Sequence, residues 1–290
     1  MTKTVSILYM VVRLFYRTMG ITVEPFYRIR SKTGSKIGVL ENKREVPLIV
    51  SLTTIPSRIN KVHLCIESIL RQSLKPDRII LWISEKIDRD KIPVELEHLT
   101  KRGLQIRCCR DIGPYTKIFY TLQEHIGHIV VTADDDLFYP KNWLKKLYQA
   151  YRKEPEYIHC HRAHLMTWRS DGELKRYSDW VPGAPGITGP SLSLFPTGNG
   201  GILYPPGSLH KEVFNESEFM KLCPTADDIW LKAMALLNSV PCKKVAPHTR
   251  PFFRIPKSQS VSLMSQNIKQ GKNDTQIRNV FERYELYRLF

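Results

Sequence analysis

Asp134, Asp135 and Asp136 stand in a row directly after the apolar run Ile129-Val130-Val131. Carboxylates separated by one residue can turn toward a single hard cation, and a cation held this way keeps positions free for phosphate oxygens. A second acidic pair, Asp227-Asp228, follows Pro224-Thr225-Ala226 and opens a stretch of helical character through about Leu237. One carboxylate at the start of such a helix can act as a general base, with Thr225 as the expected N-cap. Capping and the helix macrodipole by themselves also account for acids at a helix start, so both readings stand for the pair and for the triplet. Between the two acidic motifs lies Gly198-Asn199-Gly200-Gly201, which permits a tight turn or a close backbone approach to a ligand. Lys117, at an expected helix start, can offer its charge and nearby N–H groups to a diphosphate; an exposed surface lysine is the plainer alternative.

These side chains need a frame. The β-branched run before Asp134 has no polar alternation, which suits a strand covered on both faces, and Pro140 marks the start of the next helix. The acids then fall at the carboxyl edge of a sheet, where open α/β folds bind ligands. Strands are predicted over Leu48–Thr53, Arg78–Ile83, Leu104–Cys108 and Tyr157–Cys160. Helices are predicted from Pro56 to about Gln72, from Val94 to Arg102, from Asp111–Lys117 onward, and from Pro140 to about Arg152. Alternation of this kind gives an α/β fold with a mostly parallel sheet. Ser170–Pro196 is rich in Gly, Pro and Ser and is predicted as loops.

Composition bounds the rest. With 42% hydrophobic and 25% charged residues over 290 positions, the chain can bury a large core, and neither a disordered nor a fibrous class fits. The six cysteines form no C-x-x-C pair and are expected to be reduced, as in the cytosol. The net charge of +16 sits at the ends: residues 1–36 carry seven Lys/Arg against one acid, and residues 243–290 carry ten against three. A nucleic-acid-binding domain would place its charge on a recognition element, so no nucleic-acid partner is expected. Basic ends suit an anionic membrane surface, or serve solubility alone. Val5–Met19 is apolar but contains Arg13 and Arg17, too short and too charged for a span and unlike a signal peptide. On a helical wheel Lys3, Ser6, Arg13 and Arg17 oppose Val5, Leu8, Val12, Phe15 and Met19, a pattern shared by interfacial helices and by helices packed on a core.

From about Val46 to His248 the chain resembles a nucleotide-sugar-dependent glycosyltransferase of the GT-A fold, nearest to the inverting family 2-like enzymes of bacterial capsule and lipopolysaccharide biosynthesis. The resemblance rests on order: an Asp-x-Asp motif ending a strand (Asp134-Asp135-Asp136), the glycine loop, Ala226-Asp227-Asp228 opening a helix, and His248 after the following strand. It implies an α/β GT-A fold, Rossmann-like with peripheral N- and C-terminal helical segments. The expected organisation is a basic amphipathic segment over 1–45, a catalytic domain over 46–250 and a basic extension over 251–290.

Residue by residue, the resemblance implies Asp134 and Asp136 as metal acids, Asp136 being the direct ligand, with Asp135 near the donor's ribose or sugar and His248 completing the metal and diphosphate site. It implies Asp228 as the base that deprotonates the acceptor hydroxyl for in-line, inverting attack, and Asp227 as a positioning group. Thr53, Thr54, Pro56 and Arg58 occupy the first nucleotide loop, while Lys117, Gly200 and Gly201 complete the donor site. Where relatives often carry an acid after the second strand, Ser84-Glu85 stands here, which leaves the nucleotide open, with a UDP-sugar expected. Mg²⁺ and Mn²⁺ both suit oxygen ligands, and a histidine ligand tilts toward Mn²⁺. The implied acceptor is a glycan or lipid-linked glycan, met by a cytoplasmic enzyme held peripherally on the inner face of the cell membrane. Two other classes stay open: a metal-dependent phosphoryl- or nucleotidyl-transferase, and a noncatalytic carbohydrate- or nucleic-acid-binding protein using Trp168, Tyr177 and Trp180 as a platform.

Overall fold

The computed structural model describes residues 3–42, 44–88, 90, 92–258 and 271–290, with side chains from Tyr16 onward except Arg17. The apolar runs form the expected strands: β1 (Leu48–Thr54), β2 (Arg78–Ser84), β3 (Leu104–Cys109) and β4 (Ile129–Ala133). They pair in parallel in the order β3-β2-β1-β4, with Leu48 opposite Ile129 and Ile49 opposite Arg78. Every residue of β4 is buried, as its lack of polar alternation requires. Beyond β4 the sheet continues through β9 (Ile202–Tyr204), β6 (Ile158–Cys160) and β10 (Cys242–Lys244), making seven strands. β9 runs antiparallel to both its neighbours, so the sheet is mostly and not wholly parallel.

Helices close the two faces. α2 (Val62–Leu70), α3 (Val94–Thr100) and α5 (Trp143–Lys153) pack Leu64, Leu99, Leu144 and Leu147 into one core with Leu48, Val50 and Leu52. α4 (Phe119–Glu124) and α7 (Asp227–Leu237) share a second core with Val130, Ile202 and Tyr204. The helix expected from Pro56 divides into a 3₁₀ turn, Pro56–Arg58, and the shorter α2. Gly113–Lys117 is likewise a 3₁₀ turn ahead of α4, with Gly113 at φ 65°, a conformation that interrupts an α-helix. The segment expected to be all loop ends in β8 (Leu194–Pro196), which pairs antiparallel with β7 (Ala163–Leu165).

α1 (Lys3–Thr33) runs well past the expected amphipathic stretch. The side chains of Lys3, Val5, Ser6, Leu8, Val12, Arg13, Phe15 and Arg17, on which that reading rests, lie outside the described residues. The rest of α1 packs through a helical stripe. Tyr16 meets Phe253 at 5.4 Å between ring centroids, Tyr27 stacks on Phe138 at 4.7 Å, and Gly20 seats against the Arg254 carbonyl. Phe253–Arg254 forms β11, antiparallel to β5 (Leu137–Phe138), which directly follows the acid triplet. At the other end α8 (Lys272–Arg283) buries Ile277, Val280 and Phe281 in the core that holds α7. The cysteines are free thiols, and among the described residues no helix is long and apolar enough to cross a membrane.

Candidate active site

Parallel pairing of β1 with β4 brings the loop after Thr54 beside the acids. Thr54 Oγ1 donates to one oxygen of Asp135 at 2.6 Å and Arg58 Nη1 to the other at 2.7 Å. Burial raises the pKa of Asp135, and Arg58 and Thr54 oppose it. Both carboxylate oxygens are thus taken by protein donors, and Asp135 ties the end of β4 to the β1 loop where it was expected to reach the donor.

Asp134 faces the other motif. Its Oδ1 lies 3.3 Å from Lys117 Nζ, and the same ammonium lies 2.9 Å from Asp227 Oδ2. Lys117 is buried, which rules out the plainer surface reading. Burial works against its charge, but Asp227, Asp134 and Asp228 outweigh it and hold the pKa well above the usual lysine value. Tyr139 fixes the Asp134 backbone: its hydroxyl accepts from the Asp134 N–H at 2.7 Å and donates to the Asp134 carbonyl at 3.4 Å.

Asp228 lies in the first turn of α7, whose apolar body anchors it in the core. The Gly198 N–H donates to both its oxygens, at 3.1 and 3.0 Å. Burial and then the Asp227 charge push its pKa up to about 7, against the pull of Lys117 and the Gly198 N–H. A Cβ built on Gly198 would lie 3.1 Å from Lys117 Nζ, 3.4 Å from Asp228 Oδ1 and 3.5 Å from Asp134 Oδ1. Three charged groups from three segments therefore converge on one glycine.

Gly200 and Gly201 face elsewhere. Trp143 Nε1 donates to the Gly200 carbonyl at 2.6 Å, and a Cβ on Gly201 would meet the Trp143 ring at 2.6 Å. Both have positive φ, 120° and 89°, so the turn and the Trp143 ring already require glycine at these positions.

Asp136 is held by its backbone, whose carbonyl accepts from the Ile255 N–H at 2.9 Å. Burial, followed by the charges of Asp134 and Asp135, pushes its pKa up to about 6, while Arg58 and Arg254 oppose the rise. With Asp135 held by Thr54 and Arg58, Asp134 and Asp136 are the acids of the triplet left to a divalent cation, which would relieve the repulsion that raises Asp136. His248 does not join them. His248 is exposed and lines a separate cavity with Phe252 and Trp143, and among the described residues no group of three His, Cys, Asp or Glu side chains is gathered for a metal ion. Asp134 and Asp136 offer oxygen only, which suits Mg²⁺ as well as Mn²⁺.

The other expected residues divide. Thr53 Oγ1 donates to the Trp82 carbonyl at 3.0 Å and serves the strand, Pro56 starts the exposed 3₁₀ turn, and Glu85 is exposed beyond β2. Thr225 is not the cap of α7: the N-cap is Ala226, and Thr225 donates both its N–H and its hydroxyl to Gln276 of α8. Trp180 is buried against Tyr177 and Phe195, and Trp168 packs on Phe290, so these rings form packing and not an open platform. Sequence reasoning named Gly198 only as part of the glycine loop and did not single out Tyr139 or Arg254; of these two, Tyr139 carried a signal, an aromatic hydroxyl on the segment of the acids themselves.

Residues 57–210, a little over half of the chain, match glycosyl transferase family 2. The chain belongs to this family. Its mostly parallel sheet flanked by helices is the GT-A fold. The match covers Lys117, the acid triplet and the glycine loop; α1, Asp227-Asp228 and α8 lie outside it. Among solved structures, the crystal structure of residues 1–349 of TarS from S. aureus is similar at 14% identity and a TM-score of 0.44, over 71% of this chain. The chain spans 59% of the length of that structure. No curated protein matches at a significant level.

Proposed function

We propose that this family 2 member transfers a sugar from a nucleotide-sugar donor, a UDP-sugar first, to a hydroxyl of a glycan or lipid-linked glycan acceptor with inversion. The observation that carries the reading is Asp228: a carboxylate fixed by the Gly198 N–H, raised to about 7, and 3.4 Å from the point where Lys117 and Asp134 also converge. A group poised near neutrality accepts a proton efficiently at physiological pH. In this mechanism Asp228 takes the acceptor hydroxyl proton as the oxygen bonds to the anomeric carbon and the nucleoside diphosphate leaves from the opposite side. Lys117 pairs with both Asp227 and Asp134 and draws the two motifs together. Asp135, Thr54 and Arg58 hold the first nucleotide loop against the motif. A divalent cation bound by Asp134 and Asp136 would supply charge neutralisation for the departing diphosphate.

The reading extends to the acceptor's surroundings. The described part of α1 exposes Ile21, Phe26 and Ile29, with Arg28 and Lys32 alongside, which suits peripheral contact with an anionic membrane on its cytoplasmic face. The donor is tested by incubating the full chain with a panel of nucleotide sugars, with and without Mn²⁺ or Mg²⁺, and measuring nucleoside diphosphate release. Metal-stimulated release from one donor class supports the reading; release from none with either cation overturns it.

A further inference from the structure

Ile202 opens β9 and pairs with Thr132 of β4 on one side and with Cys160 of β6 on the other. β9 is antiparallel to both, so the chain leaves β4 toward the acid triplet and leaves β6 toward Arg162 at the same edge of the sheet. Arg162 is bound there to the residue before Gly198: its carbonyl accepts from the Thr197 N–H at 3.0 Å, and its Nη1 donates to Thr197 Oγ1 at 2.7 Å. The next N–H along the chain is the one that holds Asp228. Lys117 and Arg58 are committed to carboxylates, whereas among the described residues Arg162 forms no ion pair. It is half-buried, and its single side-chain hydrogen bond leaves the Nε–Nη2 edge of the guanidinium without a protein partner and open to solvent.

The sheet order β6-β9-β4-β1 puts Arg162 and the loop of Thr54 and Arg58 on opposite sides of the acid triplet. Tyr177 feels both Arg162 and Asp228: burial pushes its hydroxyl up to about 12, Asp228 adds to the rise and Arg162 opposes it. Among the described residues that hydroxyl takes no protein partner. His164 meets Tyr177 edge to face at 5.5 Å between centroids, and burial followed by the Arg162 charge pushes it down to about 3, so it adds no charge. A guanidinium edge with two free N–H groups matches a planar carboxylate through two parallel bonds. One positive charge beside neutral rings balances one negative charge, whereas a phosphate monoester brings nearly two. We propose that Arg162 selects an acidic sugar, binding its carboxylate on the Nε–Nη2 edge while the sugar lies along Tyr177 toward Asp228. The carboxylate belongs either to the transferred sugar or to the acceptor unit beside it, and in both cases it sits away from the first nucleotide loop. This deepens the reading of Asp228 as the base and rests on it for the position of the reacting hydroxyl.

The test is calorimetric titration of the full chain in Mn²⁺ with matched acidic and neutral sugars. UDP-glucuronate against UDP-glucose and UDP-galacturonate against UDP-galactose probe the transferred sugar. Methyl glucuronide against methyl glucoside and methyl galacturonide against methyl galactoside, both with UDP present, probe the acceptor unit. The expected result is that the acidic member of at least one pair binds about tenfold or more tightly than its neutral partner, the gain expected from charge-assisted hydrogen bonds. The pair that discriminates assigns the carboxylate to donor or acceptor. Arg162→Gln removes the preference, and Arg162→Lys, which keeps the charge but not the fork, retains only part of it. Both variants keep a hydrogen-bond donor for Thr197 Oγ1, and thermal melts check that the fold is intact. No acid preference in any pair for the wild type overturns the inference, as does a preference undiminished in Arg162→Gln. UDP alone is titrated into the same variants, and a loss of UDP affinity as large as the loss for the acidic sugar overturns it too, by moving Arg162 to the diphosphate. Nucleoside diphosphate release by the wild type keeps the two claims apart. An Arg162-dependent acid preference without cleavage of any nucleotide sugar leaves this subsite standing and removes the transfer reading, whereas metal-stimulated cleavage without an acid preference removes the subsite and leaves transfer.

Discussion

Lys117 Nζ lies 2.9 Å from Asp227 Oδ2, and this ion pair joins α7 to the acid triplet because the same ammonium also meets Asp134. Removing the cation leaves buried carboxylates without compensation. Lys117→Met is expected to lower unfolding stability by about 3–5 kcal/mol, the range for breaking a buried pair from one side. Urea denaturation of the full chain gives the value; an unchanged midpoint at equal slope contradicts the pairing.

The pH dependence follows from Asp228. With its pKa pushed up to about 7, the proton-accepting form is lost as pH falls below 7 and complete above it. kcat/KM for transfer should fall by about tenfold per pH unit on the acid side and level off on the alkaline side. A profile flat from pH 5.5 to 8 removes Asp228 from proton transfer.

Two glycines in one loop should fail in different ways. A Cβ on Gly198 would press on Lys117 Nζ, Asp228 and Asp134, whereas a Cβ on Gly201 would collide with the Trp143 ring at a backbone φ of 89°. Gly198→Ala is expected to keep the melting temperature within a few degrees and lose most turnover. Gly201→Ala is expected to lose about 1–3 kcal/mol from strain and overpacking. Thermal melts and turnover measured together check the split; equal behaviour of the two variants contradicts it.

Asp136 carries the metal prediction. Mn²⁺ at a hundred times its dissociation constant should stabilise the wild type by about 2.7 kcal/mol. Asp136→Asn offers a neutral oxygen in place of a charged one and should lose most of that gain. Equal stabilisation of both proteins by Mn²⁺ would place the cation elsewhere.

Ile21 and Ile29 are 57% and 60% exposed on α1, so changing them leaves the core intact. The full chain should sediment with anionic liposomes at low ionic strength, less so in high salt, and Ile21→Glu with Ile29→Glu should weaken this. Equal sedimentation with neutral and anionic liposomes counts against an electrostatic membrane contact.

Much of the frame was legible because it depends on local pattern. Ile129–Val131 had to be buried on both faces, and Asp134 then had to fall at the sheet's edge. What was not legible depends on distant pairing. Nothing local says that Thr54 and Arg58 take both oxygens of Asp135, or that β11 brings Ile255 to the Asp136 carbonyl. The choice among Gly198, Gly200 and Gly201 was closed to sequence reasoning, because a glycine required by a ring and one required by charged groups look alike. His248 shows the converse: its place in motif order matched, yet its side chain lies in the lining of another cavity.

The central claim is that Asp228 is the base of a metal-dependent sugar transfer, and the most direct measurement compares wild type and Asp228→Asn for transfer and donor binding under the same Mn²⁺ concentration. The account predicts unchanged donor affinity and transfer reduced by about 10²–10⁴-fold, the usual loss for a general base. Near-normal transfer by a folded Asp228→Asn protein would contradict it.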